Sequence, residues 1–225
     1  FTPYYPKQLN HVQKAINKIN DLQPDVIFFT GDLVNNIATE ALGFVDSFKQ
    51  LKSTYGVYSI LGNHDYGDYA AWPNEETKKA NLDLLKQIHA DMGWRLLLNE
   101  HVHLEKDGAI AVAGVENISA RGRFHSYGKL ENALFGIQDA MTVLLLSHDP
   151  SHWEAEVLHH PAKVDITFSG HTHGMQFGFE LFNIKWSPVK YIYKQWAGLY
   201  SKNKQHLYVN RGFGVIGYPG RVGIL

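Results

Sequence analysis

Four places in this chain of 225 residues end an apolar run on an Asp, an Asn or a His. They are Thr30-Gly31-Asp32, Leu61-Gly62-Asn63-His64-Asp65, Ser147-His148-Asp149 and Ser169-Gly170-His171-Thr172-His173-Gly174. Polar groups delivered together to strand exits need partners, and packing alone explains four such exits poorly. A metal centre gives them a common partner. Asp32, Asn63, His148, His171 and His173 offer only oxygen and nitrogen donors, and the chain has no Cys. That set suits divalent first-row ions such as manganese, iron or zinc. A carboxylate can span two ions roughly 3.5–4 Å apart, and such a pair neutralises the oxygens of a phosphoryl group during displacement. The chemistry this predicts is hydrolysis of a phosphoester or pyrophosphate. His64, beside a proposed ligand, is placed to protonate the leaving oxygen or to stabilise phosphoryl charge. Asp65 is expected to hold that imidazole through its other nitrogen.

Composition narrows the field. With 44% hydrophobic and 19% charged residues the chain can bury a sizeable core, and one large domain over residues 1–225 is expected. Twenty-one basic against 22 acidic residues leave a net charge of -1, so no electrostatic case exists for a nucleic-acid partner. Thirteen His residues favour imidazole ligands or imidazole catalysis. No apolar stretch reaches the roughly 20 residues of a membrane span.

The elements that must position these residues follow from periodicity. Leu9, Val12, Ile16 and Ile19 predict a helix over 7–20, and Leu42, Val45, Phe48 and Leu51 predict another over 40–52. Residues 26–29 are apolar throughout, as in a central parallel strand, and deliver Asp32. A strand over 55–60 delivers Asn63 and His64, and a helix follows over 75–92. Short segments at 94–98, 101–104 and 109–115 point to antiparallel pairing, with a turn at Lys106-Asp107-Gly108. Strands over 142–146 and 164–168 end at His148 and His171, and further strands are expected at 207–209 and 222–225. Residues 118–129 lack a period and form a basic loop whose Arg121, Arg123 and His125 can reach a phosphate, or simply stay solvated. The aromatic segment 177–200 either packs over the sheet or presents an apolar surface to acyl chains or a bilayer. In the second case Lys185, Lys190 and Lys194 would meet anionic headgroups, and mostly buried Trp186, Tyr191 and Trp196 would exclude it.

The blocks Gly31-Asp32, Gly62-Asn63-His64-Asp65, Ser147-His148 and Gly170-His171-Thr172-His173 resemble the calcineurin-like metallophosphoesterase family in order and spacing. The resemblance implies an α/β sandwich of two mixed β-sheets flanked by helices, holding two divalent metal ions. It implies that Asp32 bridges the ions, that Asn63, His148 and His171 complete one site, that His173 serves the other, and that His64 is the catalytic imidazole. Gln195-Trp196-Ala197-Gly198-Leu199-Tyr200, Asn210-Arg211-Gly212 and Arg221 look most similar to the bacterial YkuE-like and YaeI-like phosphodiesterases. The family pattern opens with an Asp-x-His that this chain lacks, so the first strand and first ligand motif are expected to precede Phe1. The activity expected is that of a dinuclear phosphodiesterase or pyrophosphatase, lipid-linked substrates included. A phosphomonoesterase or nucleotidase, or a non-catalytic scaffold of the same fold, is the alternative. Expected partners are a phosphate-ester substrate and a bacterial membrane, contacted through 177–200 or an N-terminal anchor, with a cytoplasmic location as the alternative.

Overall fold

The computed structural model describes residues 6–104, 109–181, 184–212, 214–218 and 220–224. They fall into two compact units, Phe1–Leu97 and Leu98–Leu225.

The first unit contains α1 (Pro6–Asp21), β1 (Ile27–Phe29), α2 (Val45–Phe48), β2 (Val57–Ser59), α3 (Glu75–Asp91) and β3 (Arg95–Leu96). Its three strands pair in parallel in the order β1-β2-β3. Val12 and Ile16, one helical turn apart on α1, are both buried, as the spacing predicts. Asn74 caps α3 by accepting the Thr77 N–H at 2.8 Å, and Glu75 and Glu76 in the first turn complement the helix dipole. The helix expected over 40–52 is instead a 3₁₀ helix, Ala38–Phe44, running into α2. Glu40 causes this start, since its carboxylate accepts the N–H groups of Asn35, Asn36 and Ile37 at 2.7, 3.1 and 3.2 Å. Burial then follows a period of three, so that Ala38, Ala41 and Phe44 face the core while Leu42 is exposed.

The second unit contains β4 (Glu100–His103), β5 (Ile110–Gly114), α4 (Leu130–Leu134), β6 (Thr142–Leu146), α5 (Ser151–Ala155) and β7 (Ile166–Ser169). β8 (Phe179–Leu181), β9 (Ile184–Trp186), β10 (Gly198–Lys202) and β11 (Gln205–Val209) complete it. Its main sheet is mixed, in the order β10-β11-β7-β6-β5-β4, with a parallel centre and an antiparallel strand at each edge. Val143, Leu145, Trp153, Val157 and Val164 pack into one buried cluster beneath β6 and β7. The antiparallel expectation for 94–115 holds for β4 and β5, whereas β3 joins β2 in parallel. The turn expected at 106–108 lies outside the described residues. In place of a strand at 222–225 there is an isolated bridge between Phe177 and Val222, with residue 225 outside the described residues. No helix among the described residues is long and apolar enough to cross a membrane.

Candidate metal-binding and catalytic clusters

In the first unit the exits of β1 and β2 are tied together by one carboxylate. Asp65 is fully buried; its Oδ2 accepts the N–H groups of Asp32 and Gly62 at 2.8 Å each, and its Oδ1 accepts that of Val34 at 3.2 Å. This clamp holds Asp32 in the left-handed region, at φ 60°, a conformation uncommon outside glycine that persists where surrounding contacts fix it. Asp32 Oδ1 in turn accepts the His64 N–H at 3.0 Å. The His64 ring has Nδ1 2.7 Å from the Asn35 carbonyl oxygen. A carbonyl only accepts, so Nδ1 carries the hydrogen and Nε2 is the nitrogen left to exchange a proton with a bound group. The expectation for Asp65 is corrected here: its oxygens serve main-chain amides, and Asn35 steadies the imidazole at Nδ1. Asn63 is buried and its Nδ2 donates to Tyr69 Oη at 2.9 Å, which orients its carbonyl oxygen away from that hydroxyl. The Tyr69 ring lies 4.7 Å from that of His64, centroid to centroid. Burial raises the Tyr69 phenol above its ordinary value, and Asp32 and Asp68 add to the rise.

In the second unit the exits of β6 and β7 bring His148 and His171 together. His148 Nε2 lies 3.2 Å from His171 Nδ1, the rings meet edge to face, and His148 is buried. His171 Nε2 is 2.8 Å from Tyr193 Oη and 4.0 Å from Asp149 Oδ2. Burial pushes the Tyr193 phenol far above its usual range, with Asp149 adding and Arg121 and Arg123 opposing, so it stays a neutral hydroxyl. This contact fixes the orientation of the His171 ring and leaves Nδ1 on the His148 side.

His173 follows on a run of left-handed backbone, with His171, His173, Gly174, Met175 and Gln176 all at φ between 50° and 68°. Side chains hold the run in place: Thr172 Oγ1 donates to the Trp196 carbonyl at 2.8 Å, and Ser187 Oγ to the Gly174 carbonyl at 2.7 Å. The His173 carbonyl accepts from Arg221 at 3.3 Å.

The basic loop reaches this second cluster. Phe124 meets His171 edge to face at 5.1 Å, and the Arg121 guanidinium stands 5.0 Å over the Tyr193 ring, a cation–π contact. Arg123 acts on the Tyr193 hydroxyl through its charge. His125 gives its carbonyl to Asn117 Nδ2 at 2.8 Å and sets its ring against Tyr127, so the loop's fold uses its backbone. Arg121, Arg123 and His125 are all exposed. The aromatic segment divides: Tyr193 and Trp196 are buried, Trp186 is partly buried, and Tyr191 is 75% exposed.

Sequence reasoning missed Asn35, Tyr69, Phe124 and Tyr193 as groups that shape these clusters. Tyr69 lies only six residues beyond Asn63 and carried a local signal. Tyr193, 22 positions beyond His171, carried none. The first unit offers an amide oxygen whose NH₂ is already engaged and a carboxylate that accepts the His64 amide, and the second offers two imidazole nitrogens 3.2 Å apart; all are the oxygen and nitrogen donors that a divalent metal takes.

The sequence matches the family model for calcineurin-like phosphoesterases over residues 5–175. The chain belongs to that family. Among its calcineurin-like relatives is a transmembrane protein with metallophosphoesterase domain from Danio rerio, 28% identical over 94% of this chain and 46% of its own length. An uncharacterised metallophosphoesterase of Helicobacter pylori is 30% identical over 95% of this chain and 52% of its own. The uncharacterised metallophosphoesterase YkuE of Bacillus subtilis is 28% identical over 95% and 69%. The chain thus spans about half the length of several curated relatives it matches. The fish protein and YkuE stand at the same identity, so these likenesses do not single out the YkuE-like branch.

Proposed function

We propose that this chain is a metal-dependent phosphoesterase in which Asp32, His148 and His171 would hold a divalent ion, the role that its membership of the calcineurin-like family supports. Asn63 would complete that ion's ligands, and His173 would serve a second ion. Manganese, iron and zinc all suit this donor set. The observation that carries the reading is the paired presentation of His148 Nε2 and His171 Nδ1, 3.2 Å apart at two strand exits, in a chain whose other exits present Asp32 and Asn63. Ions bound there supply Lewis-acid neutralisation of phosphoryl charge and acidify water near them.

The chain's own residues do the rest. Asp65, through its amide clamp, sets the direction of Asp32. Asn35 holds Nδ1 of His64, so Nε2 can give a proton to the departing ester oxygen, a general-acid contribution of roughly 10²–10⁴ in rate. Arg121, exposed and anchored over Tyr193, offers a guanidinium to a phosphoryl oxygen, with Arg123 and His125 further along the same loop.

The substrate we favour is a phosphodiester or pyrophosphate. A lipid-linked form draws support from exposed Phe177, Phe179 and Tyr191 and is weakened by buried Trp196. The test is turnover of a bis-aryl phosphate against the matching mono-aryl phosphate, with manganese, zinc or iron added to chelator-treated protein. Metal-dependent turnover favouring the diester, and lost in His64→Ala that still binds metal, is the expected result. Preference for the monoester would move the assignment to a phosphomonoesterase, and metal binding with no turnover of either would move it to a scaffold.

A further inference from the structure

β8 and β9 form an antiparallel pair that no third strand extends among the described residues. Phe177, Phe179 and Leu181 occupy alternate positions, so their side chains leave the same face of that ribbon. All three are about half exposed, at 50, 48 and 59%, and Val222, bridged to Phe177, is 46% exposed. Phe179 stacks on Trp186 at 5.7 Å and is still half exposed. On the opposite face Glu180 is tied to Arg211 by an ion pair. The hairpin thus carries a charged pair on one face and an apolar row on the other, with all three residues of β8 exposed. Tyr191, 75% exposed, and Leu199, 62% exposed, lie further along the same stretch of sequence.

Charge identifies what such a face meets. Residues 177–204 hold five lysines, Lys185, Lys190, Lys194, Lys202 and Lys204, against the single acid Glu180, in a chain whose net charge is -1. Lys190 Nζ lies 5.5 Å over the exposed Tyr191 ring. Aromatic rings that mix with lysines suit the headgroup layer, where each basic side chain near an anionic surface contributes about 1 kcal/mol. A two-fold contact between copies of this chain would instead set the same basic stretch against itself, which like charges disfavour.

We propose that the β8–β9 hairpin, with the 190–194 turn, seats this chain on an anionic lipid bilayer. Docking of this kind is reversible and weakens with salt. It needs no hydrolysis, so it stands or falls apart from the phosphoesterase reading.

Sedimentation with vesicles of phosphatidylcholine, with and without phosphatidylglycerol, tests it. This chain is expected to pellet with the anionic vesicles, to stay in solution with phosphatidylcholine alone, and to be released by salt. The double variant Phe179→Ser, Leu181→Ser should lose at least about tenfold in apparent affinity, and Lys190→Glu, Lys194→Glu should lose binding with circular dichroism unchanged. Binding that survives both double variants, or no binding to anionic vesicles at all, overturns the proposal. A concentration-dependent dimer in analytical ultracentrifugation that the apolar substitutions abolish would assign the face to a second copy instead.

Discussion

In the first unit one buried carboxylate, Asp65, fixes the strand exits by gripping three main-chain amides, and every group involved lies within a few residues of β1 or β2. In the second unit His148 and His171 are steadied by side chains that come from elsewhere, Tyr193 from 22 positions along the chain and Phe124 from the basic loop. The first arrangement is rigid because amides cannot move without unfolding the strand ends. The second is adjustable, since a hydroxyl or a ring can be removed while the strands remain. Loss of a clamp should therefore appear as lost stability, and loss of an aromatic support as lost metal affinity.

The largest effect expected along this divide is that of Asp65→Ala. It strands three amide donors, two of them buried and one partly so, each hydrogen bond to a charged acceptor contributing about 1.5–3 kcal/mol and not adding fully, so a loss of about 4 kcal/mol is expected. Urea denaturation checks it, and a loss under about 1 kcal/mol would mean that the carboxylate is not what holds the exits.

A buried imidazole gives the next effect, on pH dependence. His89 is completely buried, its Nδ1 is 3.0 Å from Ser59 Oγ, and burial holds its pKa down at about 4. The folded value lies below the unfolded value of about 6.5, so the unfolded chain binds the extra proton first. Stability should be full above about pH 6.5 and fall as pH drops toward 4, by about 3 kcal/mol from this group. Denaturation of His89→Gln across that range should show a flatter profile, and an unchanged slope would assign the acid sensitivity to other groups.

Tyr193→Phe probes the adjustable side. Removing the hydroxyl frees the His171 ring without emptying the space that the Tyr193 ring fills, and should weaken metal binding by about 10–100-fold while leaving the unfolding midpoint close to that of the parent. A change in stability with affinity intact would reverse the contrast between the two clusters.

The same divide explains what could be read from the sequence. The strand exits were legible because each element there is short, apolar and followed at once by its polar residue, and local order is what sequence patterns record. The family blocks carried the rest of that reading. The 3₁₀ helix Ala38–Phe44 was not legible, because its apolar residues also satisfy a helical period and only the Glu40 carboxylate, folded back on Asn35, Asn36 and Ile37, selects the tighter turn. Asp65 was misread for a related reason. A carboxylate next to an imidazole invites pairing, but the imidazole Nδ1 met a carbonyl, and the carboxylate met amides that no residue type announces. Tyr193 and the outward face of β8 depend on distant contacts, so composition flagged an aromatic segment without dividing it into buried and exposed halves.

The most direct test of the central claim is a count of divalent ions per chain, by elemental analysis after equilibration with manganese and removal of free metal, on the parent protein, Asp32→Ala and His171→Ala. Bound ions in the parent and a loss of at least one per chain in each variant, with folding intact by circular dichroism, is the expected result. Equal metal content in all three proteins would contradict a centre built on Asp32 and His171.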